Sequence, residues 1–461
     1  MKPTNIRLHK SLTTVEYFTF GFGSMVGVGW LVVMDDWLGR GGPGGAALGF
    51  LFGGLLFLPI ARTYGFLVAR IQDAGAEIAF TEGVFPPFLS FASGWIMILA
   101  YAIVCPWEAV ATGNLLARVF PMMNSVPLYE VAGRTIFLPR VAAGLLLTGL
   151  ITFINFRGIR LSGLFQDVTT FGLLAIFALF TVLGFANGDS GNLQPLFARP
   201  GAAGAWLSIL LTMQIVPYFM TGFESVAKES EEAKPGYDPN HFRRAIYGAV
   251  VAGFVFYVIV IAVVSYVYPW RDLVGGHIGS EVAFERAFGS RMIARAILFG
   301  AFLSLFKVFN GNFVAASRLM YATGRRGLVL PALARVHPVF GTPTTAIGLT
   351  AVLTAGASLF GDAALIPITE VGSLAVGTGW LAACLAWVGR AQREGTSAGV
   401  ATAYLGAAVS VAIILMKSVP AVPGSFTWHE WVVFALWCTL GLLFWQFKST
   451  RERSTGLEDA N

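Results

Sequence analysis

Apolar stretches of about 18–25 residues recur along the whole 461-residue chain, and no other feature limits its fold so tightly. Each is long enough to cross a hydrocarbon core of about 30 Å as a helix. We read spans at 13–38, 44–69, 88–118, 137–156, 160–187, 206–229, 242–268, 291–324, 343–360, 364–389, 400–418 and 427–448. Composition excludes the soluble alternative. Only 12% of residues are charged and 56% are hydrophobic, whereas soluble domains carry roughly 25% charged residues. The chain therefore reads as an all-α membrane protein with 12 transmembrane helices.

The net charge of +6 is a topology signal rather than a nucleic-acid footprint. With both termini on one side, that side collects Lys2, Arg7, Arg157, Arg318, Arg325, Arg326, Lys448, Arg451, Arg453 and eleven other Lys or Arg residues. The opposite side collects ten, and Lys307 falls inside a span. The positive-inside rule then places both termini in the cytoplasm. No signal-peptide cleavage pattern follows the basic start, so the first span is expected to insert the chain in the cell membrane. Trp37, Trp95, Trp270, Trp428 and Trp431 near span ends suit an interfacial belt, and residues 269–290 suit a short interfacial helix.

Membrane-enzyme readings find little support. Cys105, Cys384 and Cys438 are isolated within apolar segments, and the histidines, His277 among them, lie in loops or at span ends. There is no HExxH pair and no lysine following a glycine, which argues against a zinc site and a P-loop. No catalytic residue, metal or cofactor is expected. The oligomeric state is left open.

Two spans are interrupted. GFGSMVGVGW in the first holds Gly21, Gly23, Gly27 and Gly29; VPYFMTGFESVAKESEE in the sixth holds Pro217, Gly222 and Glu224. Unpaired backbone groups are tolerated at membrane depth only against protein or a cavity. Close packing through small residues is the plainer explanation for a glycine-rich span. The position of the breaks, however, matches between two five-helix halves, a pattern that marks a midplane substrate site. Half-helix amides suit a carboxylate, and freed carbonyls suit an ammonium group.

In these segments the sequence resembles the amino acid–polyamine–organocation superfamily. The likeness covers roughly residues 10–345: GSMVGVGW, AGAEIAF at 74–80, GWIMILAYAIVCPWEA, GIRLSGLFQDVTTFGLL, TGFESVAKESEEAKP, and NGNFVAASRLMYATGRRGLVLPALARVHPVFGTP. The resemblance implies secondary transport by a five-plus-five inverted-repeat (LeuT-like) core, with broken helices 1 and 6. Residues 13–187 and 206–389 would be the repeats, and 400–448 two added helices. It implies that amides around Val28 and Gly29, beside Ser24, hold a substrate carboxylate. Carbonyls of Met25, Tyr218 and Thr221 would hold its amine, with Tyr218 also a gating aromatic. The substrate class is an amino acid, with a polyamine or other organic amine as the alternative.

Three charged residues at membrane depth need a function or a partner. Glu224 is a candidate for a proton-linked or gating role, or for a brace on the helix break. Relatives commonly carry a sodium-substituting lysine in the fifth span, where this chain has Phe171, Gly172 and Leu173. Lys307 in the eighth span could supply that cation or pair with Glu108 in the third; the first reading expects sodium-independent transport. Asp35 and Asp36 read as a solvated helix end, or as an attraction for cationic substrates.

Overall fold

A computed structural model describes residues 8–276, 279–361, 365–422 and 425–458, with side chains for all of these except 365–369 and 447–458. Lys2, Arg7 and His277 lie outside the described residues, as do the side chains of Lys448, Arg451 and Arg453.

The helices in chain order are α1 Thr14–Met25, α2 Gly29–Val32, α3 Met34–Arg70, α4 Glu77–Thr81, α5 Pro87–Ala102, α6 Val104–Val119, α7 Leu138–Arg157 and α8 Ile159–Asn187. They continue as α9 Gly201–Met213, α10 Val216–Phe219, α11 Ser225–Glu229, α12 Asn240–Val267, α13 Trp270–Gly275 and α14 Ser280–Phe288. The last are α15 Arg291–Arg325, α16 Thr344–Ser358, α17 Leu365–Arg393, α18 Val400–Ser418 and α19 Trp428–Glu458. Among the described residues, ten segments are long and apolar enough to cross a membrane, taking α1–α2 and α5–α6 as one each; α9 and α16 are shorter apolar helices. The chain is a multi-pass, all-α membrane protein. Its outward faces carry exposed Leu, Val and Phe, as a bilayer solvent requires, while the core gathers around α1, α12 and α15.

Local chemistry sets the departures from regular helix. Gly42, at φ 66° and ψ 175°, breaks α3 into 34–41 and 43–70, so the second span begins one turn-forming Gly-Pro step after the first ends. Pro106 lacks an N–H for the carbonyl of Ala102, and the third span changes from α5 to α6 at Ile103. Between α6 and α7 a two-stranded antiparallel ribbon, β1 Pro127–Val131 with β2 Arg134–Phe137, was not foreseen from the sequence.

Two sequence expectations need correction. Trp37 is not in an interfacial belt: it is fully buried, with ring centroids 4.6, 4.8 and 5.6 Å from Phe50, Phe219 and Tyr257. Residues 269–290 form two helices rather than one, and α14 is packed inward. Phe284 stacks on Phe180 at 4.2 Å, and the Ser280 hydroxyl donates to the Trp30 carbonyl at 2.9 Å.

Candidate functional site

Helix α1 ends at Met25, Val26 is extended (φ −85°, ψ 90°), and α2 starts at Gly29. The segment expected to be the sixth span is broken twice, after α9 and again between α10 and α11. These interruptions face each other. Gly222 sits at φ 122°, and a Cβ built there would lie 2.6 Å from the Ser24 carbonyl carbon and 2.8 Å from the Met25 nitrogen. One on Gly29 would lie 2.4 Å from the Phe219 ring. Glycine is thus required on both sides of the contact, once for conformation and once for space.

A cavity lies along this seam. It brings together all six residues expected to touch substrate: Ser24, Met25, Val28, Gly29, Tyr218 and Thr221. Some of their groups are already engaged. The Met25 carbonyl accepts from the Gly27 amide (3.1 Å) and the Tyr257 hydroxyl (3.3 Å), and the Thr221 hydroxyl donates to the Pro217 carbonyl at 2.8 Å. The amides of Gly29 and Trp30 open α2, so no preceding helical carbonyl is placed to bond them. Opposite the seam, α5, α6, α15 and α17 close the cavity with Ala100, Val104, Glu108, Val308, Asn312 and Val376.

Gly29, Trp107, Tyr218 and Phe219 line both this cavity and a second, wider space. That vestibule includes Asp36 and Arg40, at the far end of the first span from the amino-terminal tail, and the Glu370–Lys417 ion pair. Tyr218 therefore stands on the boundary between site and vestibule. Asp36 pairs with Arg40 at 2.7 Å in an exposed i,i+4 bridge.

Toward the tail, buried charges close the bundle. Lys228 Nζ lies 2.5 Å from Glu77 Oε1, which also accepts from the Tyr64 hydroxyl at 2.6 Å; both charged side chains are fully buried. Arg318 forms a two-point pair with Glu232 at 2.9 and 3.0 Å, also fully buried. Arg325 bridges Glu231 (2.7 Å) and Asp73 (3.0 Å), and Arg326 joins Asp73 (3.1 Å) to Glu82 (2.7 Å). The tail itself is tied in, with Ser11 and Leu12 amides donating to the Glu232 carbonyl at 2.9 and 3.0 Å. The space thus opens on one side and is barred on the other.

The three charged residues singled out at membrane depth are all buried. Glu224 precedes α11; its Oε2 accepts the Gly222 amide at 3.1 Å, and its Oε1 has no partner. That is the bracing geometry, three residues beyond Thr221 in the cavity lining. Lys307 donates to the carbonyls of Gly23 (3.2 Å) and Val26, the last turn of α1 and the first residue beyond it. Lys307 and Glu108 interact electrostatically, without a direct hydrogen bond between them among the described residues. Glu108 lines the cavity along the seam.

The fifth-span neighbourhood also shifts. Phe171 is half exposed on the outer face, and Gln166 and Thr170 are the side chains that abut Gly23. Gln166 donates to the Thr19 carbonyl (3.1 Å) and accepts from Asn310 (2.9 Å), which in turn binds Asn155 and Ser162 at 3.0 Å each. This polar chain, Phe219, and the Glu77–Lys228 and Glu232–Arg318 pairs escaped the sequence reading. The acidic and basic partners do fall within the quoted motifs, but the partners are 86–151 residues apart. Among the described residues no group of three or more His, Cys, Asp or Glu could hold a metal ion.

Against known proteins, the profile of the family described as "Amino acid permease" matches residues 12–444. A methylthioribose transporter of Bacillus subtilis is 26% identical over 97% of this chain and 95% of its own length. The branched-chain amino acid permease BcaP of the same organism is 23% identical over 97% and 94%. Cationic amino acid transporter 4 of Mus musculus is 27% identical over 80% of this chain and 58% of its own.

Proposed function

Since the chain belongs to the amino acid permease family, we propose that it carries amino acids across the cell membrane by alternating access, with both termini in the cytoplasm. In this reading α9 and α16 complete twelve spans. Residues 13–187 and 206–389 are inverted five-helix repeats, and 400–448 are two additional helices.

The observation that carries the proposal is the cavity between two facing helix breaks. Free amides at the start of α2 suit a carboxylate, and carbonyls at Met25, Tyr218 and Thr221 suit an ammonium group. No bond in the substrate is made or broken; the protein binds, encloses and releases it.

Lys307 acts here as a fixed cation. Its ammonium group sits on two carbonyls exposed by the break in the first span, where relatives without such a lysine would place a mobile ion. Transport is therefore sodium-independent. Glu224 links closure of the sixth-span break to proton binding or exchange, since its bond to the Gly222 amide ties it to the residue that meets Ser24.

A second reading, an amine or another polar solute without a carboxylate, draws on the full-length likeness to the methylthioribose transporter. Competition separates the two. Uptake of a labelled amino acid into proteoliposomes should be blocked by free amino acids and about tenfold more weakly by their methyl esters, which lack the anionic carboxylate. Equal inhibition by esters, or inhibition by methylthioribose alone, would reject the first reading.

A further inference from the structure

We propose that Glu108, assisted by Asn312, forms a subsite for the cationic end of a basic amino acid side chain. The inference rests on the amino-acid reading above and names the substrate class within it. The cavity has two unlike walls. One is the backbone of the two breaks, suited to the carboxylate and ammonium groups shared by all amino acids. The other faces it from α5, α6, α15 and α17 and is apolar over Ala100, Val104, Val308 and Val376. A substrate held by its backbone groups on the first wall turns its side chain toward the second.

Two acceptors interrupt that apolar wall. Glu108 is 3% exposed, and its Oε2 has no hydrogen-bond partner. Its Oε1 lies against the first-span break, 3.9 Å from where a Cβ on Gly27 would be. Asn312 is 1% exposed. Its amide nitrogen is used on the carbonyls of Ser24 (3.3 Å) and Val308 (2.8 Å), which leaves Oδ1 without a partner.

Lys307 lies within electrostatic reach of Glu108 but gives its hydrogen bonds to Gly23 and Val26, so it leaves the Glu108 Oε2 without a donor. An unpaired buried acceptor is a standing penalty that a ligand donor removes. An ammonium or guanidinium group offers several donors and a positive charge, whereas an aliphatic side chain offers none. The wall therefore selects side chains with a cationic tip.

The test uses purified full-length protein in proteoliposomes, with labelled L-arginine and L-leucine measured side by side. Wild-type protein is expected to favour arginine, and Glu108→Gln to lower the arginine-to-leucine ratio at least tenfold. Glu108→Asp, which keeps the charge, should retain the preference. Should the Gln variant fail to fold, thermal stabilisation of wild-type protein by arginine but not by equimolar leucine reports the same selectivity. Leucine uptake without arginine uptake, or an unchanged ratio in Glu108→Gln, would overturn the subsite and leave the amino-acid reading in place. Uptake of neither would overturn that reading itself.

Discussion

Gly222 is the residue whose replacement the site can least absorb. At φ 122° an L side chain is strained by about 1–3 kcal/mol, and its Cβ would also press on the backbone of Ser24 and Met25, which cannot swing away as a side chain could. Gly222→Ala should lower the melting temperature in detergent and abolish uptake; a variant with wild-type melting and transport would refute the facing-break geometry. Lys307→Met should also silence transport. It leaves the Gly23 carbonyl without its donor, at about 1–3 kcal/mol, and the Val26 carbonyl with the Ser304 hydroxyl alone (2.9 Å). Undiminished uptake by Lys307→Met would remove its role as a fixed cation. At this scale the sequence was informative where a motif fixes the backbone: Ser24, Met25, Val28, Gly29, Tyr218 and Thr221 all meet at one cavity. It was silent on Phe219, because the order of two adjacent aromatics that both border the vestibule does not say which packs on Gly29. It also left open how Lys307 and Glu108 divide the space around Gly27, a question of a few ångströms between helices far apart in the chain.

Among the elements, ten of the twelve expected spans coincide with helices long and apolar enough to cross a membrane, and the breaks near residues 26–28 and 214–224 were legible from glycine and proline. The kink at Ile103 follows from Pro106 in the same way. The ribbon at 127–137 was not legible, since LYEVAGRTIF lies between two spans and its pairing is a local turn effect rather than a membrane signal. Nor were the charge pairs that bind helices together on the tail side, because each joins segments from different parts of the chain. The Glu232–Arg318 pair gives a direct stability test. Removing one partner of a fully buried ion pair costs about 3–5 kcal/mol, whereas replacing both with apolar residues of similar volume is far milder. Glu232→Gln and Arg318→Met alone should each destabilise the protein strongly in thermal unfolding, and the combination Glu232→Met with Arg318→Met should recover much of the loss. Additive losses would contradict the pairing.

For the molecule as a whole, the cavity joins a vestibule on one side and is barred on the other by Lys228–Glu77, Arg318–Glu232 and the Arg325–Arg326 cluster. Weakening the more exposed members of that barrier should shift the conformational balance without dismantling the core. In a background with Cys105, Cys384 and Cys438 replaced, a cysteine at the buried position Ala227 should be alkylated several-fold faster when Arg325 and Arg326 are both changed to Ala. Equal rates would mean that the cluster does not hold the closed side. The central claim, that facing breaks in the first and sixth spans bind an amino acid for sodium-independent transport, is tested most directly by one experiment. Purified protein in proteoliposomes would be assayed for labelled amino acid uptake in sodium-free and sodium-containing buffer, beside Gly222→Ala. The account predicts uptake by wild-type protein that is equal in the two buffers, competed by unlabelled amino acids and absent in the variant. No amino acid uptake above empty vesicles, or uptake that requires sodium, would contradict it.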